Sequence, residues 1–303
     1  MAAIELDGVT KTFDDVEALR GVDMEVREGE IFGFLGPNGA GKTTTIDVLL
    51  DFVRPTSGTA TVLGYDVREE SREVRKRTGV LPEGFDVYGR LTGRQHFEFV
   101  REAKDADADP DAVRERVGLD ADDFERKAGG YSKGMKQRLV LGMALIGEPD
   151  LLILDEPSTG LDPNGARRMR EIVREERDRG ATVFFSSHIL GQVESVCDRV
   201  AILQDGEVVA VDSVEGLRES MGAETVLTVT LAQPVEGAAA AAEGVDGVES
   251  ARTSGEQVIV QCAGDVKMDV LTAIEEVGGD VEDFDTDEAS LDELFAAYTE
   301  DEA

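Results

Sequence analysis

A glycine-rich stretch near the N-terminus has the residue types and the spacing of a phosphate-binding loop. Two glycines flank four residues, and a Lys-Thr pair follows. Glycine lets the backbone close around a phosphate without Cβ clashes, and backbone N–H groups at a helix N-terminus attract an anion. Lys42 can reach the outer phosphates of a nucleoside triphosphate, and the Thr43 hydroxyl can ligate Mg²⁺. The loop consists of Gly36, Pro37, Asn38, Gly39, Ala40, Gly41, Lys42, Thr43 and Thr44.

Two adjacent carboxylates, Asp155 and Glu156, form a second candidate group. They directly follow four apolar residues (151–154) that indicate a buried strand. Because side chains alternate along a strand, the two carboxylates point in different directions. One of them can hold Mg²⁺ while the other orients and deprotonates a water. This pair therefore favours phosphoryl chemistry at the end of the strand.

A turn and a histidine complete the candidates. Ser132 and Gly134 stand in a Ser-x-Gly turn that opens a helix, which predicts a second anion-binding helix N-terminus. His188 ends another apolar run (183–188), at the position where open α/β sheets bind their ligands. The other histidine, His96, is predicted to be a surface helix residue without a chemical role.

The elements that must position these groups alternate between strands and helices. Residues 31–35 are a short apolar run that indicates a buried strand, and residues 44–50 indicate the start of a helix. Residues 3–9 and 22–27 alternate apolar and polar side chains, as half-buried strands do. This order predicts an α/β fold in which the ends of several strands converge on one phosphate site.

The composition bounds the class of protein. With 303 residues, the chain can form one large and one small domain with a full hydrophobic core. Its net charge of −34 is spread along the whole chain, which favours a surface adapted to a very salty cytoplasm over a site for one basic partner. The same charge repels phosphates, so no nucleic-acid partner is expected.

The cysteines and the apolar runs argue against other classes. Cys197 and Cys262 are far apart in sequence and lack CxxC spacing, so we expect two small packed residues in a reducing compartment. The N-terminus has no basic region followed by an apolar core, so an export signal is not expected. No apolar stretch approaches the ~20 residues that span a bilayer. Any membrane role is therefore expected to come through a partner.

Together these motifs make the chain resemble the nucleotide-binding subunit of ATP-binding-cassette (ABC) transporters, over about residues 3–215. The resemblance implies a P-loop NTPase fold of the ABC-ATPase type that binds ATP and Mg²⁺. It identifies residues 36–44 as the Walker A loop and residues 151–156 as Walker B, with Glu156 as the general base. His188 then corresponds to the switch histidine that contacts the γ-phosphate.

The resemblance extends to the regions that close the nucleotide site. Phe13 falls where the family stacks an aromatic ring on adenine, and residues 158–162 correspond to the D-loop. Residues 131–135 occupy the signature motif, in which Ser132 and Gly134 contact the γ-phosphate held by a second subunit. Within one subunit, the resemblance implies that ATP is held by Phe13, Lys42, Thr43 and Asp155, with Thr43 and Asp155 as the Mg²⁺ ligands.

This sequence departs from the family pattern in two places. Lys133 and Met135 replace a Gly and the Gln of the usual Leu-Ser-Gly-Gly-Gln signature. Glu83 stands where a Gln usually sits, and its carboxylate can still face Mg²⁺ or its water while adding negative charge near the triphosphate. Both departures resemble the branch of the family that includes drug, ion and polysaccharide exporters.

Residues 84–146 are interpreted as a helical subdomain inserted into an ATP-binding domain of residues 1–220. In the family, this insertion meets the membrane subunit. Its aromatic and apolar side chains therefore have two interpretations, a docking surface or the core of the subdomain itself. They are Phe85, Tyr88, Leu91, Phe97, Phe99 and Val100.

Residues 221–303 are predicted to form a separate small α+β domain. Strands at 225–231, 247–252, 257–262 and 280–285 and helices at 235–243 and 266–277 give the split β-α-β order of ferredoxin-like modules. A capping box at 290–293 predicts one more helix. The domain resembles the accessory extension of exporter-type cassettes, with regulation or dimer support and passive stabilisation as equal alternatives.

The function expected from the resemblance is ATP hydrolysis that drives export through a separate integral membrane permease. The subunit is then expected as a homodimer, cytoplasmic and peripheral on the inner face of the cell membrane. The alternative is a soluble ABC ATPase that acts on ribosomes or DNA, but such chains usually carry two cassettes or long coiled-coil arms, and this one has neither. A third reading, a binding module without hydrolysis, is opposed by the retained Lys42, Asp155, Glu156 and His188.

Overall fold

The computed structural model of the chain describes residues 1–220, 225–262 and 266–288. The chain divides into two compact units, Met1–Val214 and Glu215–Ala303. The domain boundary predicted at residues 220 and 221 remains a prediction. In the part of the chain that the structure describes, no helix is long and apolar enough to cross a membrane.

The strands of the first unit, all of whose residues are described, form two sheets. In chain order they are β1 (Ala2–Phe13), β2 (Val16–Arg27), β3 (Ile31–Leu35), β4 (Ser57–Val62), β5 (Tyr65–Asp66), β6 (Thr78–Leu81), β7 (Leu151–Asp155), β8 (Thr182–Ser187), β9 (Arg199–Gln204) and β10 (Glu207–Ser213). An antiparallel sheet has the order β2-β1-β4-β5, and a six-stranded sheet has the order β10-β9-β3-β8-β7-β6.

The helices of the first unit begin at recognisable sequence signals. Thr92 and Gln95 form a capping box, and Asp109, Ser132 and Asp162 accept a backbone N–H at their helix starts. The helices are α1 (Lys42–Leu49), α2 (Ser71–Arg77), α3 (Gly93–Lys104), α4 (Pro110–Arg116), α5 (Ala121–Phe124), α6 (Lys133–Leu145), α7 (Pro163–Asp178), α8 (Leu190–Glu194) and α9 (Val214–Ser220), the last of which crosses into the second unit.

The six-stranded sheet determines where the site lies. Strands β6, β7, β8, β3 and β9 are parallel, so their carboxyl ends share one edge, while β10 is antiparallel to β9. The central strands read as apolar runs because both faces of a parallel sheet are covered. One core unites this sheet with α1 and the antiparallel sheet, and in it the ring centroids of Phe34 and Phe184 are 5.2 Å apart.

The helical segment after β6 corrects one prediction. His96 was predicted at the surface of a helix, and although it lies on α3 it is only 2% exposed. Its Nε2 accepts the Tyr88 backbone N–H at 3.1 Å, so its Nδ1 carries the proton and donates to the Thr92 carbonyl at 2.7 Å. A histidine whose two nitrogens are both satisfied by backbone can be buried at low cost, which the sequence pattern did not reveal.

The second unit contains a four-stranded antiparallel sheet. Its elements are β11 (Thr225–Leu231), α10 (Ala238–Glu243), β12 (Val248–Ser254), β13 (Gln257–Cys262), α11 (Lys267–Glu276) and β14 (Val281–Glu288). The sheet order β12-β13-β11-β14 with this βαββαβ chain order is the ferredoxin-like arrangement. The capping box predicted at 290–293 lies outside the described residues.

Candidate functional site

The glycine-rich loop connects the buried strand β3 to α1 and is held close to its neighbours. Gly41 has φ of 109° and caps α1, so Lys42, Thr43 and Thr44 form the first turn of that helix. A Cβ on Gly36 would lie 2.4 Å from the Leu203 carbonyl oxygen. Only glycine fits there, because no side chain can share space with backbone.

Lys42 reaches back over its own loop. It is 7% exposed, and its Nζ donates to the carbonyls of Gly36 at 2.6 Å and Pro37 at 3.0 Å. Burial lowers the pKa of the Lys42 ammonium, and the nearby carboxylates of Glu156, Asp155 and Glu83 oppose that shift. Two backbone carbonyls thus hold the Lys42 ammonium beside the loop, where it can contact a phosphate bound by that loop.

Thr43 and Asp155 meet between α1 and the end of β7. The Thr43 hydroxyl donates to Oδ2 of Asp155 at 3.4 Å, and Asp155 is 2% exposed. Its Oδ1 is buried and finds no hydrogen-bond partner among the described residues. Burial raises the pKa of the Asp155 carboxyl, and the charges of Glu83 and Glu156 raise it further, while the Ser186 hydroxyl and the charge of Lys42 oppose the rise. A hydroxyl beside a buried carboxylate with one free oxygen fits the hard oxygen ligation that Mg²⁺ prefers.

Glu156 leaves the sheet in an unusual backbone conformation. Its φ of 48° is rare for a residue that is not glycine, and its backbone N–H donates to the Ser186 carbonyl at 3.1 Å. The carboxylate is 5% exposed and turns toward the end of β8. There Oε1 accepts the His188 backbone N–H at 2.8 Å and lies 2.7 Å from the Nδ1 of the same ring. The two adjacent carboxylates therefore have different partners.

Glu83 follows β6 on the same edge of the sheet. It lines a cleft of about 550 Å³ together with Thr43, Asp155, Glu156 and Thr159. Its carboxylate is exposed, in contrast to the two carboxylates at the end of β7. The P-loop, Glu83, the Asp155–Glu156 pair and His188 thus come from the carboxyl ends of neighbouring parallel strands, which is where such sheets bind ligands.

The remaining predicted residues lie on other elements. Phe13 ends β1 at the tip of the β1–β2 hairpin, is 44% exposed, and has the Lys11 ammonium 4.6 Å from its ring centroid. Ser132 caps α6 by accepting the Met135 N–H at 3.3 Å. A Cβ on Gly134 would lie 3.3 Å from the Gly160 carbonyl oxygen. Phe13 and the Ser132–Gly134 turn therefore stand open rather than buried at the strand ends.

Sequence reasoning missed two buried polar residues beside the site. The Ser187 hydroxyl lies 3.5 Å from Oε2 of Glu156 and accepts the Ile189 N–H at 3.0 Å. Gln137, 3% exposed on α6, donates from Nε2 to the Pro157 carbonyl at 2.8 Å. The available signal was a polar side chain at a position where the apolar period of its strand or helix predicts burial.

The fold and the strand-end groups define a P-loop nucleoside triphosphatase of α/β architecture. A family model described as ABC transporter matches residues 19–159. A solved structure of the ATP-binding subunit of an ABC transporter superposes with a TM-score of 0.68 at 28% identity, over 73% of this chain and 93% of the other. A cassette solved as a post-hydrolysis dimer with ADP and Pi shares the fold, with a TM-score of 0.65 at 22% identity over 70% and 98% of the two chains.

Proteins of similar sequence indicate the same family. The daunorubicin resistance ATP-binding protein DrrA3 of Streptomyces coeruleorubidus is 35% identical over 99% of this chain and 96% of its own length. A fluoroquinolones export ATP-binding protein of Mycobacterium tuberculosis is 42% identical over 66% of this chain and 67% of its own length. An uncharacterised ABC transporter ATP-binding protein of Nostoc sp. is 43% identical over 67% of this chain and 62% of its own length. The chain belongs to the ABC transporter ATP-binding family, and as such it is an ATPase that powers transport.

Proposed function

We propose that this subunit hydrolyses ATP with Glu156 as general base to drive an exporter. The observation that carries the proposal is the pair of contacts on Oε1 of Glu156, from the backbone and the ring of His188. These contacts hold a nearly buried carboxylate at the edge of the sheet where Lys42 and Thr43 also lie. A base placed in this way can take the proton of a water aligned with the γ-phosphate.

The other residues bind and orient the nucleotide. The backbone N–H groups of residues 36–44 surround the phosphates, and Lys42 exchanges its loop carbonyls for phosphate oxygens. Phe13 stacks on the adenine from the hairpin tip, and His188 contacts the γ-phosphate. Glu83 lines the same cleft as Asp155 and would contact the metal or its water.

Mg²⁺ would be held by Thr43 and Asp155. The buried Oδ1 of Asp155 and the adjacent Thr43 hydroxyl are oxygen ligands that fit this ion. When bound, Mg²⁺ neutralises charge on the β- and γ-phosphates. The chain's own contribution is to keep these two ligands in place without bulk water.

A second copy completes the enclosure in this proposal. Ser132 and Gly134 are exposed or half-exposed on the first turn of α6, so they are free to meet the γ-phosphate held by another subunit. Both halves of such a composite site are present in one sequence, which supports a homodimer. The solved cassette dimer with ADP and Pi has the same fold.

The partner proposed for transport is an integral membrane permease, with the ATPase cytoplasmic and peripheral on the inner face of the membrane. Tyr88 and Phe99 are 72% and 61% exposed, so they supply an apolar contact surface on the helical subdomain. Two relatives are named for daunorubicin resistance and for fluoroquinolone export, which supports export over action on ribosomes or DNA.

Glu156→Gln tests the base. We expect ATP binding to be retained while turnover falls by about 10³-fold or more, since the amide keeps the shape and loses the basicity. The variant should also form a dimer that depends on ATP in size-exclusion chromatography. Glu207→Gln, an exposed carboxylate on β10, is the matched control. Near wild-type hydrolysis by Glu156→Gln would refute the base, and monomers in ATP would refute the homodimer.

Co-purification tests the membrane partner. We expect the tagged subunit to retain a polytopic protein from gently solubilised membranes, and Tyr88→Ser with Phe99→Ser to lose it. Val209→Ser, a 43% exposed apolar residue on β10, is the control. Retention of the same membrane protein by the double variant would place the docking surface elsewhere.

A further inference from the structure

The first turns of α6 contact the loop that follows β7 at three points. This 156–162 loop begins with Glu156 and ends with the residue that caps α7. The stem of Lys133 lies on Gly160, since a Cβ there would be 2.5 Å from Cδ and 2.7 Å from Cε of that lysine. Gly134 approaches the Gly160 carbonyl, and Gln137 donates to the Pro157 carbonyl at 2.8 Å.

Hydrogen-bonded turns connect Gly160 to Glu156 within the 156–162 loop. Its backbone has positive φ at both residues, 48° at Glu156 and 82° at Gly160. Two short hydrogen-bonded turns join them, from the Thr159 N–H to the Glu156 carbonyl and from the Leu161 N–H to the Ser158 carbonyl, both 3.1 Å. A non-glycine residue with positive φ persists only where its surroundings over-determine it, so the contacts on this loop bear on the conformation of Glu156.

We infer that Lys133 is a positioning residue for Glu156, acting through the apolar stem that covers Gly160. This inference rests on the proposed role of Glu156 as base. The stem fixes Gly160, Gly160 fixes the 156–162 loop, and the loop keeps the Glu156 carboxylate on His188. A residue without a stem, such as the glycine of the usual signature, leaves this face of Gly160 uncovered.

The chemistry of lysine separates this role from two others. A stem that acts by packing needs the methylenes and not the ammonium, so methionine, unbranched and flexible, can replace it. A lysine that touched a nucleotide would change the KM for ATP. A lysine that only positions the base changes kcat, because a small displacement of the base alters the geometry of attack and not the binding of substrate.

The test measures kcat and KM for Mg-ATP in variants of the full chain. Lys133→Ala should lower kcat about tenfold and leave KM within about twofold of wild type. Lys133→Met should restore kcat. Lys127→Ala, an exposed lysine shortly before α6, is the matched control and should behave as wild type.

A double-mutant cycle adds a second readout. Gly160→Ala strains the backbone in both backgrounds, because Gly160 has φ of 82°. It also drives a Cβ into the Lys133 stem, and Lys133→Ala removes the stem atoms that this Cβ would meet first. The loss of kcat caused by Gly160→Ala should therefore be several-fold smaller in that background, since residues in contact are not additive. Equal losses in both backgrounds would overturn the inference.

Three other outcomes also overturn it. They are an unchanged kcat in Lys133→Ala, a raised KM at unchanged kcat, and a Lys133→Met variant as slow as the alanine variant. Failure of the base assignment shows separately, as turnover that survives Glu156→Gln whatever the behaviour of Lys133. If Lys133→Ala does not fold, as judged by its thermal unfolding midpoint, Lys133→Met and Gly160→Ala still give opposite predictions for kcat.

Discussion

The two units of the chain differ in the kind of side chain that they bury. The first unit buries Lys42, Asp155 and Glu156 at one edge of its parallel sheet. In the described residues of the second unit, the buried side chains are apolar, with Leu227 and Ile274 among them. Burying a charge costs free energy unless a partner compensates it, whereas burying an apolar side chain stabilises the fold. The first unit thus buries charged groups suited to chemistry, and the described part of the second unit buries apolar side chains that stabilise its fold.

This difference predicts how the units respond to substitution. Removing a buried charge from the first unit should change activity strongly and can even stabilise the nucleotide-free protein. Removing apolar volume from the second unit should change stability and leave hydrolysis alone. Substitutions in both units test this difference.

Among the variants that test this difference between the units, the largest effect is expected at Lys42. Lys42→Ala removes the enclosed ammonium that Gly36 and Pro37 hold at the loop, so the phosphates lose a preorganised charge. We expect kcat/KM for ATP to fall by about 10²–10³-fold. Steady-state hydrolysis measures it, with Lys76→Ala, an exposed lysine on α2, as control. A loss below tenfold would show that burial of this lysine is structural.

Asp155→Asn should move binding and stability in opposite directions. Loss of the carboxylate should weaken Mg²⁺-dependent nucleotide binding by about 10-fold or more, as judged by titration with and without EDTA. The nucleotide-free variant should unfold at a higher temperature than wild type at pH 7, because burial is the largest influence on the Asp155 carboxyl and it disfavours the charged form.

The pH dependence of that stability gain has a definite sign. Burial raises the pKa of Asp155, so the wild type is free of the penalty below the unfolded pKa of about 3.9 and acquires it as the pH rises through the folded value. The difference in unfolding temperature between Asp155→Asn and wild type should therefore grow from pH 4 toward neutrality. A difference that shrinks with rising pH would mean that the carboxylate is stabilised by partners rather than destabilised by burial.

The sequence predicted most of the elements, and the reason differs between the units. In the second unit, alternation along strands such as β13 and the amphipathic α11 gave the ferredoxin-like order. In the first unit, motif spacing predicted that the segments with Lys42, Asp155 and His188 each follow a buried strand. The apolar pattern of a sequence does not predict which polar side chains form hydrogen bonds with the backbone. His96 was therefore wrongly placed at the surface, and Gln137 was missed.

A smaller effect is expected at the hairpin tip. Phe13→Ala should raise the KM for ATP about tenfold, because stacking of a base on an aromatic ring contributes roughly 1–3 kcal/mol. The fold should be little affected, since the ring is 44% exposed. Val16, 66% exposed and paired with Phe13 in the hairpin, gives the matched control Val16→Ala. An unchanged KM would remove Phe13 from the adenine site and leave it as an exposed residue next to Lys11.

The smallest effect on hydrolysis is expected in the second unit. Ile274 is fully buried on α11, and Ile274→Ala should destabilise this unit by about 2–5 kcal/mol through the cavity it leaves. Limited proteolysis reports that loss, and Glu275→Ala, exposed at the next position, should show none. ATP turnover should stay within about twofold of wild type, because the described core residues around Ile274 all belong to the second unit and sites without shared partners act independently. If turnover falls as the second unit opens, that unit supports the dimer or the catalytic edge, and the division between chemistry in one unit and stability in the other does not hold.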